Sequence, residues 1–262
     1  MSIRVVVHGC AGKMGQMVIS AILRESDLKL VGGVDVKVAG DSLELPDGKG
    51  RVPLSTDLDA MLRETKPEVL VDFSTAKAVV PMAVAAAAHK VHIVSGTTGL
   101  TADDLKKIDE LAKAAGIGAM AASNFAIGAV VMMHLAQIAA RYFDYAEIIE
   151  EHHEQKLDAP SGTALTTAKM MAKERGKRFL EPEHKEQLTP RGQNVEGISI
   201  HSVRLPGIVA RQEVLLGALG QTLSIKHDAI SRECYMPGIM MAVKKVKEFK
   251  GLVFGLDKLL GL

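Results

Sequence analysis

The sequence predicts an α/β protein in two parts: a parallel sheet covered by helices on both faces, then an α+β part built on an open mixed sheet. Three observations predict it. Short β-branched runs alternate with helix-period segments over the first half of the 262 residues. A glycine-rich turn lies directly between the first run and the first helix. After Tyr142, strand-like runs follow one another without helices between them. Strand–helix alternation gives a parallel sheet buried on both faces, whereas successive strands with short turns give antiparallel or mixed sheets.

Element by element, Ile3–His8 reads as a strand, and Met14, Met17, Val18, Ala21 and Ile22 then recur at helical spacing. Leu28–Asp35, Glu68–Phe73, Val91–Ser95 and Ile117–Ala121 are further strands, with helices at about Asp57–Glu64, Ala76–Lys90 and Thr101–Ala115. Thr101 is a natural cap, and Asp103 and Asp104 suit the positive end of the helix dipole. A helix from about Phe125 to Arg141 follows. Beyond it come a strand at Ala146–His152, a helix at Ser161–Arg175, and strands at Val195–Leu205, Val209–Gly217 and Gln221–Asp228. A last helical segment runs from Ser231 to Phe249. The polar, Gly- and Pro-rich segments Val36–Pro53 and Lys177–Asn194 read as loops.

Composition narrows the function. Lys+Arg total 32 against 31 Asp+Glu, so a net charge of +1 leaves no broad field for a nucleic-acid backbone. Three Tyr, six Phe and no Trp leave few stacking platforms for single strands. The two cysteines, Cys10 and Cys234, have no zinc-type spacing and suit a reducing, cytoplasmic compartment. Residues Ala114 to Ala140 carry no Asp, Glu, Lys or Arg, a span long enough for a bilayer. Ser123-Asn124 and three glycines interrupt it, so a buried strand, a polar turn and a core helix are expected there, and no membrane segment.

Gly9, Cys10, Ala11, Gly12, Lys13, Met14 and Gly15 form a G-x-x-G-x-x-G turn between the first strand and helix. Small residues let backbone approach a pyrophosphate, and the helix N-terminus offers unpaired N–H groups to it. Asp35 ends the second strand, where a carboxylate can accept the ribose hydroxyls of an adenosine. Dinucleotide binding is therefore expected. A 2′-phosphate beside Asp35 would meet repulsion of about 4 kcal/mol at roughly 4 Å and an effective dielectric of about 20. NADH is accordingly expected to serve well, with NADPH admitted through Lys37 or Lys13. Two more polar loops, Gly96-Thr97-Thr98-Gly99 and Ala122-Ser123-Asn124-Phe125, follow predicted strands at their carboxyl ends, where open α/β sheets collect ligands.

The stretch Glu150-Glu151-His152-His153-Glu154-Gln155-Lys156-Leu157-Asp158-Ala159-Pro160-Ser161-Gly162-Thr163 sets two imidazoles and an ammonium ahead of a helix start. Backbone N–H groups near Ser161–Thr163 and the Thr163 hydroxyl would cradle a carboxylate, while His152, His153 and Lys156 add positive charge and proton-transfer capacity. An anionic small molecule with a protonatable reaction centre fits. A metal does not: adjacent residues on a strand point to opposite faces, and no HExxH spacing is present. On these residues alone a solvated charged loop stays open as the alternative.

The run H-H-x-x-K-x-D-A-P-S-G-T-A from His152 to Ala164, with the Gly9–Gly15 loop, Gly96–Gly99 and Ser123–Phe125, resembles the 4-hydroxy-tetrahydrodipicolinate (dihydrodipicolinate) reductases over nearly the whole chain. The resemblance implies a Rossmann-type cofactor domain at residues 1–124, completed by 234–262, and a substrate domain at 125–233 whose open sheet builds a homotetramer. It implies reduction of a small dicarboxylate by NADH or NADPH in diaminopimelate and lysine biosynthesis. His152 would be a proton donor/acceptor and Lys156 a proton donor; His153, Gly162 and Thr163 would contact substrate. Gly9–Met14, Asp35, Gly96–Thr98 and Ala122–Phe125 would contact cofactor. Val36 stands where users of NADPH often carry Arg, and Ala126 where many relatives carry Ser. A different amino-acid dehydrogenase would leave the Lys156 and Pro160–Thr163 signature unexplained. A non-catalytic dinucleotide sensor would need no His/Lys pair.

Overall fold

The structure is a computed structural model describing residues 2–38, 40–46, 48, 50–182 and 189–262. In chain order its elements are β1 (Ile3–His8), α1 (Lys13–Arg24), β2 (Leu28–Val34), β3 (Ser42–Glu44), β4 (Arg51–Ser55), α2 (Leu58–Thr65), β5 (Val69–Asp72) and α3 (Ala76–Ala88). Then come β6 (His92–Ser95), α4 (Ala102–Ala115), β7 (Gly118–Ala121), α5 (Ile127–Ala139), β8 (Tyr145–His152) and α6 (Gly162–Arg175). The remainder is β9 (Gln193–Val195), β10 (Ile198–Arg204), β11 (Ala210–Ala218), β12 (Gln221–Ala229), α7 (Met236–Lys245), β13 (Gly251–Phe254) and α8 (Leu256–Leu260). Two compact units divide the chain, Met1–Phe125 with Tyr235–Leu262, and Ala126–Cys234.

The first unit is built on a sheet of order β13-β7-β6-β5-β1-β2-β4-β3, parallel except for the β3–β4 pair. Its central strands are continuous apolar runs because both faces are covered: Val5, Val6, Val7, Val69, Leu70 and Val71 are fully buried. Each such side chain is worth roughly 1.5–3 kcal/mol of burial. On one face Met61, Leu62, Met82, Ala83, Ile108 and Ala112 of α2, α3 and α4 pack on Val6, Leu70 and Ile93. Asp57 caps α2 through the Ala60 N–H, and Thr101 with Asp104 forms a reciprocal capping box on α4. The C-terminal segment is integral: α7 lies beside α1, where Lys244 pairs with Glu25 and Asp27 at 2.7 and 3.0 Å, and β13 extends the sheet from β7.

Three sequence expectations need correction here. The segment Val36–Pro53 is not all loop. Val52 and Leu54 alternate inward against exposed Arg51 and Pro53, so β4 pairs with β2 and carries the short β3 on its far edge. The single strand expected at Val195–Leu205 is two, because Glu196 and Gly197 both adopt positive φ (55° and 87°) and turn β9 back on β10 as a hairpin. Within Lys177–Asn194, Thr189–Arg191 forms a 3₁₀ turn and Gln193-Asn194 enter β9; residues 183–188 lie outside the described residues. The sequence announces neither β13 nor α8, since elements of four and five residues bounded by glycine are too short for periodicity to register.

The second unit has a five-stranded sheet of order β12-β11-β8-β10-β9. It is mixed: β8 runs parallel to β10 and antiparallel to β11, so the consecutive strands β10 and β11 flank β8 rather than each other. Alternation places Ala146, Ile148 and Glu150 of β8 inward, with Ile198 and Ile200 of β10 and Val214 and Leu216 of β11. Helices α5 and α6 cover that face through Met132, Ala136, Ala164, Ala168 and Met171. The charge-free stretch around residue 120 resolves into β7, a turn and α5. Among the described residues no helix is long and apolar enough to cross a membrane.

Candidate active site

In the first unit, the turns after β1, β5, β6 and β7 all lie at the carboxyl ends of parallel strands, and β1 is the point where the strand order reverses direction. Gly9 has φ +79°, and a Cβ there would lie 2.4 Å from the Phe73 carbonyl oxygen. A Cβ on Gly15 would sit 2.1 Å from the Gly9 carbonyl oxygen, so only glycine lets α1 start this close to the turn. Gly12 caps α1 in extended geometry without any side-chain bond, leaving first-turn N–H groups to an outside acceptor. Ala11, Gly12 and Lys13 are exposed, whereas the Cys10 side chain is buried against Gly33. Burial and the Asp35 charge push the Cys10 thiol up to about 11, so Cys10 offers no thiolate chemistry. Asp35 accepts the Ala11 N–H at 3.1 Å and the Lys37 N–H at 3.0 Å, which fixes the acidic group beside the glycine turn.

The loop at Gly96–Gly99 is tethered by Asp72, a residue with no motif to mark it in the sequence. Buried Asp72, last in β5, accepts His8 Nδ1 at 2.8 Å, Ser74 Oγ at 2.6 Å, Ser95 Oγ at 2.8 Å and Thr97 Oγ1 at 2.8 Å. Burial alone would raise its pKa, but the bonds from His8, Ser74 and Thr97 outweigh that and leave it lowered. Thr98 is exposed next to it. In the neighbouring turn Ser123 is exposed, while Ala122 and Phe125 are buried, the latter ring tilted against Phe73 at 6.4 Å. The glycine turn, the anchored acidic residue and the tethered Thr loop fit a dinucleotide with its pyrophosphate at the α1 N-terminus.

In the second unit, β8 delivers His152 at its last residue, and a loop containing a cis Ala159–Pro160 bond leads to α6. Ser161 caps α6 through the Ala164 N–H at 3.2 Å; the N–H groups of Gly162 and Thr163 take no acceptor among the described residues. His153 Nδ1 is buried and has no partner there either. Lys156 Nζ is held by both oxygens of Asp158, at 2.7 and 2.8 Å, and that bond lowers the Asp158 pKa. His152 Nδ1 lies 2.6 Å from Oε2 of Glu150, which is fully buried. Burial would raise the Glu150 pKa; the hydrogen bonds from His152 and Arg204 overcome it and bring it to about 2.

The second unit thus brings His152, His153, Lys156, Gly162 and Thr163 onto one strand end, one loop and one helix start. Glu150 and Arg204 were not singled out from sequence. Glu150 carried a signal, a carboxylate at an inward position of β8; Arg204 carried none, being 54 residues away along the chain. Chemically, the arrangement offers two helix-start N–H groups and an ammonium to an anion, beside an imidazole with one nitrogen already bonded.

Comparison with known proteins bears on this geometry. The models for the N-terminal and C-terminal parts of dihydrodipicolinate reductase match residues 3–125 and 128–260. A 4-hydroxy-tetrahydrodipicolinate reductase of Dehalococcoides mccartyi is 53% identical over 260 residues, covering 99% of each chain. One from Moorella thermoacetica is 46% identical, covering 99% of this chain and 98% of its own. The dipicolinate-bound dihydrodipicolinate reductase of Paenisporosarcina sp. TG-14 superposes with TM-score 0.86 at 40% identity, over 98% of this chain and 99% of that one. An amine dehydrogenase from Mycobacterium smegmatis shares the fold alone, with TM-score 0.65 at 15% identity.

Proposed function

We propose a division of labour between the two units from one premise: the chain belongs to the dihydrodipicolinate reductase family. Its activity is that of the family, the NAD(P)H-dependent reduction of 4-hydroxy-tetrahydrodipicolinate, or of dihydrodipicolinate, to tetrahydrodipicolinate in diaminopimelate and lysine biosynthesis. The first unit holds the dinucleotide, through the backbone of Gly9–Met14, the Asp35 carboxylate at the ribose, and the loops Gly96–Thr98 and Ala122–Phe125. The bound nucleotide supplies a hydride to C4 of the conjugated imine. NADH serves well, because Asp35 opposes a 2′-phosphate, and NADPH is admitted through Lys37 or Lys13.

The second unit holds the substrate. The N–H groups of Gly162 and Thr163, the Thr163 hydroxyl and His153 take a carboxylate, and the unpartnered buried Nδ1 of His153 supports that role. Hydride arrival at C4 pushes an electron pair onto the ring nitrogen, and the resulting enamine must gain a proton on carbon. His152 and Lys156 supply and stabilise that proton, an effect typically worth 10²–10⁴-fold in rate. Lys156 approaches the substrate as it leaves exposed Asp158. The edge strand β12, exposed along most of its length, supports assembly of the second unit into a homotetramer. We place the enzyme in the cytoplasm, with no nucleic acid or membrane as partner.

The observation that carries the reading is the convergence of His152, Lys156 and the open start of α6 on one segment. The test couples dihydrodipicolinate synthase to this enzyme and follows NADH oxidation. Turnover that persists when the synthase is omitted and another amino or keto acid is supplied points to a different dehydrogenase. NADH binding without any turnover points to a sensor.

A further inference from the structure

The family reaction says nothing of why a fully buried carboxylate and a guanidinium stand behind the His152–Lys156 segment. Glu150 is two residues before His152 on β8, and its side chain turns inward, away from water. Parallel pairing of β8 with β10 sets Arg204 directly opposite His152, and the Leu205 N–H continues the ladder onto the His152 carbonyl at 3.0 Å. Register, not sequence proximity, therefore brings the guanidinium under the segment.

Every N–H donor of the Arg204 guanidinium has an acceptor. Arg204 Nη1 donates to Glu150 Oε2 at 3.1 Å and to the Val203 carbonyl at 2.7 Å; Nη2 donates to Glu150 Oε1 at 2.9 Å and to the Asp158 carbonyl at 2.6 Å. Nε donates to the Lys156 carbonyl at 3.2 Å. A guanidinium has five N–H donors, and all are used, so Arg204 has none left with which to grip a substrate carboxylate. Glu150 in turn accepts the Ser161 N–H at 3.3 Å, at the start of α6, takes a further bond from the Ser202 side chain on β10, and faces His152 Nδ1.

We propose that Glu150 and Arg204 are positioning residues that act as one unit on both proton-transfer groups. The Glu150 carboxylate keeps the His152 proton on Nδ1, so the imidazole exchanges its other proton through Nε2 alone. Arg204 neutralises Glu150 and pins the carbonyls of Lys156 and Asp158, fixing the loop that carries the ammonium. A structural ion pair is the simpler account, but a buried pair is a poor source of stability, since apolar residues of the same volume do as well or better. This pair also spends four of its donors and acceptors on the His152–Ser161 segment itself, at His152, Lys156, Asp158 and Ser161. Glu150, on the same strand, is bonded to the imidazole, Arg204 on β10 stands opposite His152, and Lys156 pairs with Asp158 on the following loop.

The inference rests on His152 and Lys156 moving protons, so the test separates the two. Full-length enzyme carrying Glu150→Gln, Glu150→Asp or Arg204→Lys is assayed for kcat and for the KM of NADH, beside His152→Ala as the control for the underlying reading. The ring ¹⁵N resonances of His152, assigned by their loss in that control, report the tautomer. Glu150→Gln is expected to lower kcat by about 10²-fold with the KM of NADH within about twofold, and to mix the His152 tautomers. Glu150→Asp, which keeps the charge, is expected to restore part of kcat. Arg204→Lys is expected to lower kcat at least tenfold while the Nδ1–H tautomer persists.

A folded Glu150→Gln enzyme with kcat within about threefold of the parent, or with lowered kcat but an unchanged His152 ring spectrum, overturns the proposal. If Glu150→Gln does not fold, wild-type kcat in both of the other variants overturns it equally. Full turnover in His152→Ala refutes the proton role of His152, whereas the ring spectrum of Glu150→Gln still decides whether Glu150 sets the tautomer.

Discussion

Replacing Gly15 by Ala puts a methyl group where the backbone of the glycine turn already lies. The added Cβ would sit 2.1 Å from the Gly9 carbonyl oxygen and 2.8 Å from Cys10 Cα. Ordinary contact begins at 3.4 Å, and neither obstacle is a flexible side-chain end. The Gly9 carbonyl also accepts the Gly12 N–H at 3.1 Å, so pushing it away breaks the bond that closes the turn. Overpacking of this kind costs about 1–3 kcal/mol, which for a unit of this size lowers Tm by roughly 2–12 °C. Gly12→Ala is the matched control. Its Cβ meets the same carbonyl at 3.3 Å, and its φ of −74° suits any residue, so stability should change little. The methyl would nevertheless stand on the exposed side of the turn, where the pyrophosphate is proposed to bind. Thermal unfolding with fluorescence titration of NADH distinguishes the two: Gly15→Ala should lose both Tm and affinity, and Gly12→Ala affinity alone, by tenfold or more. Parental affinity in Gly12→Ala would remove the pyrophosphate from this turn, and parental Tm in Gly15→Ala would contradict the turn geometry itself.

The other expected outcomes concern both units. Lys156→Ala and His152→Ala should each lower turnover by about 10²–10⁴-fold with NADH binding nearly intact, as read by steady-state kinetics and titration; an unaffected kcat in either removes that residue from the reaction. Pyridine-2,6-dicarboxylate should inhibit competitively with substrate, and purely noncompetitive inhibition would place the dicarboxylate cradle elsewhere. Asp35→Asn should shift the ratio of KM values in favour of NADPH by roughly tenfold, and no shift would mean that Asp35 is remote from the ribose. The pH dependence of stability has a definite sign. Glu150 is held at about 2 against its ordinary 4.5, so its share, about 3 kcal/mol, is complete above pH 4.5 and is lost as pH falls toward 2. Asp72, also lowered, acts in the same direction. Urea unfolding of the parent and of Glu150→Gln across that window should converge at the acid end; parallel curves would contradict the depressed carboxyl.

Which features were legible in the sequence follows from the range of the forces that create them. The strands β1, β5 and β6 declare themselves because both faces are buried and each carries an uninterrupted β-branched or aliphatic run, Val5–Val7, Val69–Val71 and Ile93-Val94. The glycine turn declares itself because two backbones nearly touch there, which no other residue allows. By contrast, β4 is held by Val52 and by pairing with β2, a tertiary cause that its neighbouring glycines and prolines conceal. The split of Val195–Leu205 turns on two positive φ values at Glu196 and Gly197, and an N-G or D-G pair would have announced that hairpin more plainly than E-G does. The candidate segment His152–Thr163 is visible because its polar residues are nearly contiguous. Its supports were not: His8 and Asp72 meet across 64 positions, and Glu150 and Arg204 across 54, and only strand register makes them neighbours.

That hidden support also answers an electrostatic objection to the site. A pocket for a dianion should contain no negative charge, because one uncompensated carboxylate opposes each substrate carboxylate by about 4 kcal/mol at roughly 4 Å and an effective dielectric of about 20. Two acidic residues of the second unit bond the proposed proton-transfer groups, Glu150 to His152 and Asp158 to Lys156. Each is cancelled differently. Arg204 grips Glu150 with two donors out of water, so the pair adds almost no net charge while Glu150 still orients His152. Asp158 holds Lys156 from the surface, with its side chain 61% exposed, where solvent weakens the pair and a substrate carboxylate can replace it at little cost. The permanent pair is buried and the exchangeable one is exposed. That difference leaves the Lys156 ammonium as the positive charge available to substrate, and it keeps the imidazole in register for the proton that must follow the hydride.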